Sequence, residues 1–139
     1  RAVRALATDR PGAYRAVEVA ADHTSAAYYL PAPGETPRAC VRLDDLAPSL
    51  DPARRLRLVK IDVEGMELAV LRSAEALIRT HRPLLYVEVA AAQLARQGAA
   101  VADLEAFLTA RGYAFFRNVG RRNSSDDELV VLVIMAPKP

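Results

Sequence analysis

The chain is 139 residues long, enough for one domain with a modest hydrophobic core. Its composition, 52% hydrophobic and 26% charged, is ordinary for a soluble globular protein, and the net charge of +2, with arginines dispersed along the chain, leaves no basic tract to argue for nucleic acid or a membrane surface. The lone Cys40 excludes an internal disulfide and a thiolate metal cluster and suits a reducing, cytoplasmic compartment.

At the N-terminus Arg alternates with Ala and Val, without the continuous apolar segment of a signal peptide. Val3–Ala7 is short and apolar, Asp9-Arg10-Pro11-Gly12 is a turn signal, and Tyr14–Ala20 alternates as a strand does; the pair is predicted to form a hairpin. Ala21–Arg38, with its Gly and Pro clusters, reads as loop, with a short extended piece at Tyr28-Tyr29-Leu30, and Ala39–Leu43 as a strand. Asp44-Asp45 before Leu46 predicts a short helix whose first-turn amides a carboxylate caps. Arg57–Val63 is predicted as a buried strand. Glu64–Thr80 is predicted as a helix with Leu68, Leu71, Ala74, Leu77 and Ile78 on one packed face, stopped by Arg82-Pro83. Leu84–Val89 is the next strand and Ala92–Arg111 is helical with an interruption at Gly98. Tyr113–Arg117 and Glu128–Met135 are strands joined through the polar Asn123–Asp127 segment, too short for a crossover helix, so they run antiparallel. The longest apolar run, Leu129–Ala136, is strand-sized rather than membrane-spanning. Heavy use of Ala, Arg and Pro fits a GC-rich bacterial genome.

Strand–helix–strand–helix–hairpin is the second half of a doubly wound α/β domain with an antiparallel strand near its edge. No GxGxxG nucleotide loop occurs. Asp62 and Glu64 close the first core strand and Glu88 closes the second. In parallel α/β sheets ligands bind outside the carboxyl ends of the strands, so these three carboxylates sit where such a fold places its chemistry.

Lys60-Ile61-Asp62-Val63-Glu64-Gly65, followed by Glu67-Leu68 and Val70-Leu71, resembles the FkbM family of S-adenosylmethionine-dependent methyltransferases. Arg82-Pro83, Val87-Glu88-Val89, the segment from Val41 to Leu46, and Ala5-Leu6-Ala7-Thr8-Asp9 with Gly12 match as well; Ser73 stands where that family usually has Gly. The resemblance is densest over Val41–Val89. It implies a Rossmann-like class I methyltransferase fold, mostly parallel with an antiparallel C-terminal hairpin, and methyl transfer from S-adenosylmethionine to a small-molecule acceptor, usually a hydroxyl of a sugar or secondary metabolite. It also implies that the family's cofactor loop lies N-terminal to Arg1. The 139 residues are then one partial domain: a hairpin and loop region over 1–43 and the second half of the sheet over 44–139, with no cofactor-binding residue assigned.

Under that resemblance Asp62 lies beside donor and acceptor as a base, an orienting acceptor or a metal ligand; the alternative is a cap on the next helix. Glu64 is either catalytic or an anion at the positive end of the helix dipole. Gly65 marks close approach of a neighbour where a Cβ would intrude. Lys60, Asp62 and Glu64 share one side by period two, and Lys60 either pairs with Asp62 or snorkels to the sheet edge. Glu88 either faces the same crevice, sharing a proton or a divalent cation with Asp62, or bonds to loop amides. No metal is assigned. His23 is a general base for a hydroxyl acceptor or an exposed loop histidine. Tyr28 and Tyr29 either stack on an acceptor ring or close over the site, or one is simply buried and the other exposed. His81, at a helix C-terminus, has no catalytic role.

Two readings of other classes compete. A phosphoacceptor signalling domain also ends strands with aspartates, which Asp44-Asp45 and Asp62 imitate, but too few residues separate Asp45 from Asp62 for an intervening helix and strand, and Lys138 falls beyond the last strand. A non-catalytic half-domain would leave the edge of Arg57–Val63 unpaired and open to a homo-oligomeric contact.

Overall fold

The computed structural model describes residues 2–18, 27–119 and 131–137. At the front of the chain, two small sheets replace the single expected hairpin. Strand β1 (Leu6–Ala7) does not pair with β2 (Tyr14–Glu18); β2 pairs antiparallel with β3 (Ala27–Pro31), and β1 pairs parallel with β4 (Cys40–Val41). The reason lies in the connecting turn. Pro11 has no N–H to offer a ladder. The turn is tied by side chains instead: the Arg10 amide donates to Thr8 Oγ1 at 3.1 Å and the Tyr14 hydroxyl to the Arg10 carbonyl at 2.7 Å. Leu6 and Thr8 amides then reach the carbonyls of Ala39 and Val41 at 2.9 and 3.1 Å. The expected extended piece at Tyr28–Leu30 is part of β3.

The Asp44-Asp45 segment forms a 3-10 helix (Leu43–Ser49), and its capping differs from expectation. Asp44 accepts no hydrogen bond from its own helix. Its two carboxylate oxygens take the amides of Ala76 and Leu77 at 3.0 and 2.9 Å, at the start of a helix more than thirty residues on.

The central sheet has the order β5 (Leu58–Ile61), β6 (Leu84–Val89), β8 (Val131–Pro137), β7 (Tyr113–Val119). β5 and β6 are parallel, with Leu58 opposite Leu84 and Ile61 opposite Val87. β8 inserts between β6 and β7 and is antiparallel to both, so the described sheet is less parallel than expected. Among the described residues β5 is the edge of this sheet and not a buried strand: Leu58 is 55% exposed, and only Ile61 on this strand is fully buried.

The helix expected over Glu64–Thr80 starts later and breaks in two, α1 (Glu67–Ser73) and α2 (Glu75–His81). Glu64 and Gly65 have left-handed φ angles of 52° and 102°, which a helix cannot contain. The break follows Ser73, whose hydroxyl bonds back to the Val70 carbonyl at 2.7 Å and accepts the Leu43 amide at 3.3 Å, competing with the helix ladder. The predicted apolar face is nonetheless buried throughout, Leu68, Leu71, Ala74, Leu77 and Ile78 all turning inward. The next helical stretch divides as expected around Gly98 (φ 71°) into α3 (Ala91–Arg96) and α4 (Val101–Thr109). The core joins Ile61, Leu71, Ile78, Leu85, Val87, Leu94, Leu104, Leu108 and Tyr113, and the Tyr113 hydroxyl is satisfied by the Pro83 carbonyl at 3.0 Å. No helix among the described residues is long and apolar enough to cross a membrane.

Candidate active site

The pairing of Ile61 with Val87 decides the geometry of the site. Because β5 and β6 run the same way in this register, Asp62 and Glu88, one residue further along each strand, emerge at the same end of the sheet. Together with Glu64 they line a cleft of about 630 Å³, whose other walls include Met66, Tyr29 and residues Ala5, Leu6 and Ala7.

Asp62 is exposed and paired with Lys60, one of the two arrangements expected for that lysine. Lys60 Nζ donates to Asp62 Oδ2 at 2.8 Å, with the two side chains 59% and 39% exposed. The hydrogen bond and the charge of Asp62 raise the Lys60 pKa above its ordinary value, so the ammonium stays protonated. Glu88 is half-buried. Its pKa is raised, first by burial and then by the nearby carboxyl groups of Asp62 and Glu64; Lys60 opposes the shift.

Glu64 does not continue the alternation of Lys60 and Asp62, because β5 ends at Ile61 and the chain turns left-handed. Its carboxylate accepts a hydrogen bond from Gln93 Nε2 at 2.5 Å. Gly65 behaves as its residue type suggested: a Cβ built there would stand 2.4 Å from the Gln93 carbonyl oxygen. Glu67, the first residue of α1, holds the turn that precedes the helix. Glu67 is 1% exposed, and its Oε1 accepts the Gly65 amide at 2.9 Å while Oε2 is buried without a hydrogen-bond partner. Burial raises its pKa, against backbone hydrogen bonds, Gly65's foremost, that pull it down.

Of the two tyrosines, Tyr29 lines the cleft and Tyr28 does not, since neighbours on a strand face opposite ways. Tyr28 lies instead under the Arg96 guanidinium, 5.0 Å from the ring centre. His23 and most of the Asn118–Asp127 turn lie outside the described residues. His81 sits before β6, a strand's length from Glu88, where its Nδ1 accepts the Leu56 amide at 3.4 Å. Asp44, occupied with α2, takes no part in an acidic cluster with Asp62, and Asp45 is exposed on the 3-10 helix, so the phosphoacceptor arrangement does not assemble. Among the described residues no His, Cys, Asp and Glu side chains converge in threes as a metal site. Sequence reasoning missed Glu67 and Gln93. Neither carried a signal that marked it for this site.

A family model described as the methyltransferase FkbM domain matches residues 11–115. The chain belongs to the FkbM methyltransferase family. No curated protein and no solved structure shows significant similarity to it. The family match covers β2 through the start of β7 and takes in every carboxylate of the cleft. The acidic groups of Asp62, Glu64 and Glu88 in this lining are of the sign that would face a cationic methyl donor.

Proposed function

We propose that this methyltransferase domain is of the Rossmann-like class I type and methylates a hydroxyl of a small molecule, such as a sugar or secondary metabolite, with S-adenosylmethionine as donor. One observation carries the reading: parallel pairing of Ile61 with Val87 brings Asp62 and Glu88 to one cleft at the carboxyl ends of their strands. S-adenosylmethionine supplies an electrophilic methyl when bound, so the protein's task is alignment plus removal of a proton.

Asp62 accepts a hydrogen bond from the acceptor hydroxyl and takes its proton as the oxygen becomes methylated. Lys60 fixes the Asp62 carboxylate by one oxygen. Glu88, held toward its protonated form, keeps two negative charges from facing each other across the cleft. Glu64, pinned by Gln93, holds the acidic rim toward the cationic donor.

The test is transfer from S-adenosylmethionine to a panel of hydroxylated acceptors, followed by mass spectrometry, with the full protein that carries this chain. Glu and Asp bases contribute about 10²–10⁴-fold to such proton transfers, so Asp62→Asn is expected to lower kcat by about 100-fold or more with its circular dichroism unchanged. An unchanged kcat removes Asp62 from the chemistry. Methylation of amines but of no hydroxyl overturns the proposed acceptor class.

A further inference from the structure

The turn that carries Glu64 has an unfavourable sequence for its shape. The Met66 amide reaches back to the Val63 carbonyl at 3.3 Å, and both central residues, Glu64 and Gly65, have positive φ. This is the pattern of a type I′ turn, which favours Asn-Gly or Asp-Gly; glutamate at its first central position gains nothing locally from the left-handed conformation. Something outside the turn therefore holds it.

Two contacts are available, and they act on different parts. Gln93 holds the end of the Glu64 side chain. The backbone is held by Glu67, whose Oε1 accepts the Gly65 amide. Gly65 is buried, so without Glu67 that amide would lose its acceptor away from solvent. The arrangement is a poor way to stabilise a core, because it leaves Glu67 Oε2 buried with no partner, and an apolar side chain there would pack without that cost.

We propose that Glu67 is the positioning residue of the active site: its buried carboxyl locks the Glu64–Gly65 turn and so sets where Glu64 stands in the cleft. The assignment rests on reading the cleft as the methyl-transfer site, but the lock itself can be measured without catalysis.

The experiment compares Glu67→Gln, which keeps an acceptor oxygen in place, with Glu67→Leu, which removes it. The readouts are amide hydrogen exchange at Gly65, the urea midpoint and steady-state methyl transfer. Glu67→Leu is expected to speed Gly65 exchange by about tenfold or more, the factor that goes with losing one buried hydrogen bond. The same variant is expected to lower kcat, to raise KM for the donor that Glu64 faces, and to leave the urea midpoint no lower. Glu67→Gln is expected to restore slow exchange and kcat together. If Glu67→Leu loses cooperative unfolding, Glu67→Asp, one methylene short of Gly65, makes the same comparison. Unaltered Gly65 exchange in the shortened or apolar variant overturns the proposal, as does a Glu67→Gln protein that exchanges as fast as they do. Changed exchange with unchanged kcat preserves the lock and overturns its role in positioning. A wild-type protein with no methyl transfer at all, but with the expected exchange pattern, counts against the catalytic reading of the cleft and leaves the lock standing.

Discussion

Glu67 and Glu88 are acids whose folded-state pKa values lie above the ordinary range, and both for the same first reason, burial. A raised acid binds its proton more tightly in the folded than in the unfolded chain. Its stabilising contribution is therefore complete below the unfolded value near 4.5 and disappears as pH rises through the folded value. Glu67→Gln mimics the protonated form at every pH. We expect the urea midpoints of wild type and Glu67→Gln to agree most closely near pH 4.5 and to diverge in favour of the variant as pH rises toward 8; parallel curves would show that Glu67 does not titrate differently on folding. At this scale the sequence was partly legible. Asp62 and Glu88 declared themselves by ending apolar strands. Glu67 did not, because nothing in its neighbours says that the preceding turn is left-handed and swings its amide back onto the helix.

At the scale of elements, local patterns located most strands and helices but not their partners. The apolar face from Leu68 to Ile78 was readable because burial on one side of a helix writes itself into every third or fourth residue. The interruption after Ser73 was not, since it depends on the Leu43 amide arriving from a distant segment. Asp44 makes the same point more sharply. Its position before Leu46 suggests a local cap, yet its carboxylate spans to α2 and satisfies two free amides there. Removing such a cap costs about 1 kcal/mol, and up to about 2 where the geometry is favourable. Asp44→Ala is therefore expected to lower stability by about 1–2 kcal/mol by urea unfolding, with hydrogen exchange accelerated first in α2. Acceleration confined to the 3-10 helix would return Asp44 to a local role.

For the molecule as a whole, the α/β class and the parallel βαβ unit followed from sequence because a helix between two apolar strands leaves few ways to pack. The front of the chain was misread, since the pairing of β1 with β4 and of β2 with β3 is chosen by tertiary contacts and by a proline-containing turn, and alternation alone cannot distinguish these partners. The same tertiary view changes the standing of β5. As the edge of the described sheet it exposes Leu58, whose neighbour across the pair, Leu84, is also exposed. Exposed apolar side chains contribute little, and substitutions there usually fall within about 0.5 kcal/mol. Leu58→Thr is expected to move the unfolding free energy of this chain by no more than about 0.5 kcal/mol; a loss several times larger would mean that the strand is covered in solution.

The stretch from the 3-10 helix to β5 is gripped at both ends by bonds that cross to α2. Asp44 fastens its beginning, and near its end Arg55 donates to the His81 carbonyl at 2.9 Å beside the Leu56 amide bond to the His81 ring. Between those clasps the backbone runs exposed over residues 51–55 and is anchored there chiefly to itself. Extra residues inserted in that stretch would bulge outward without pulling on β5, so relatives should differ in length there while keeping the acidic strand end where it is.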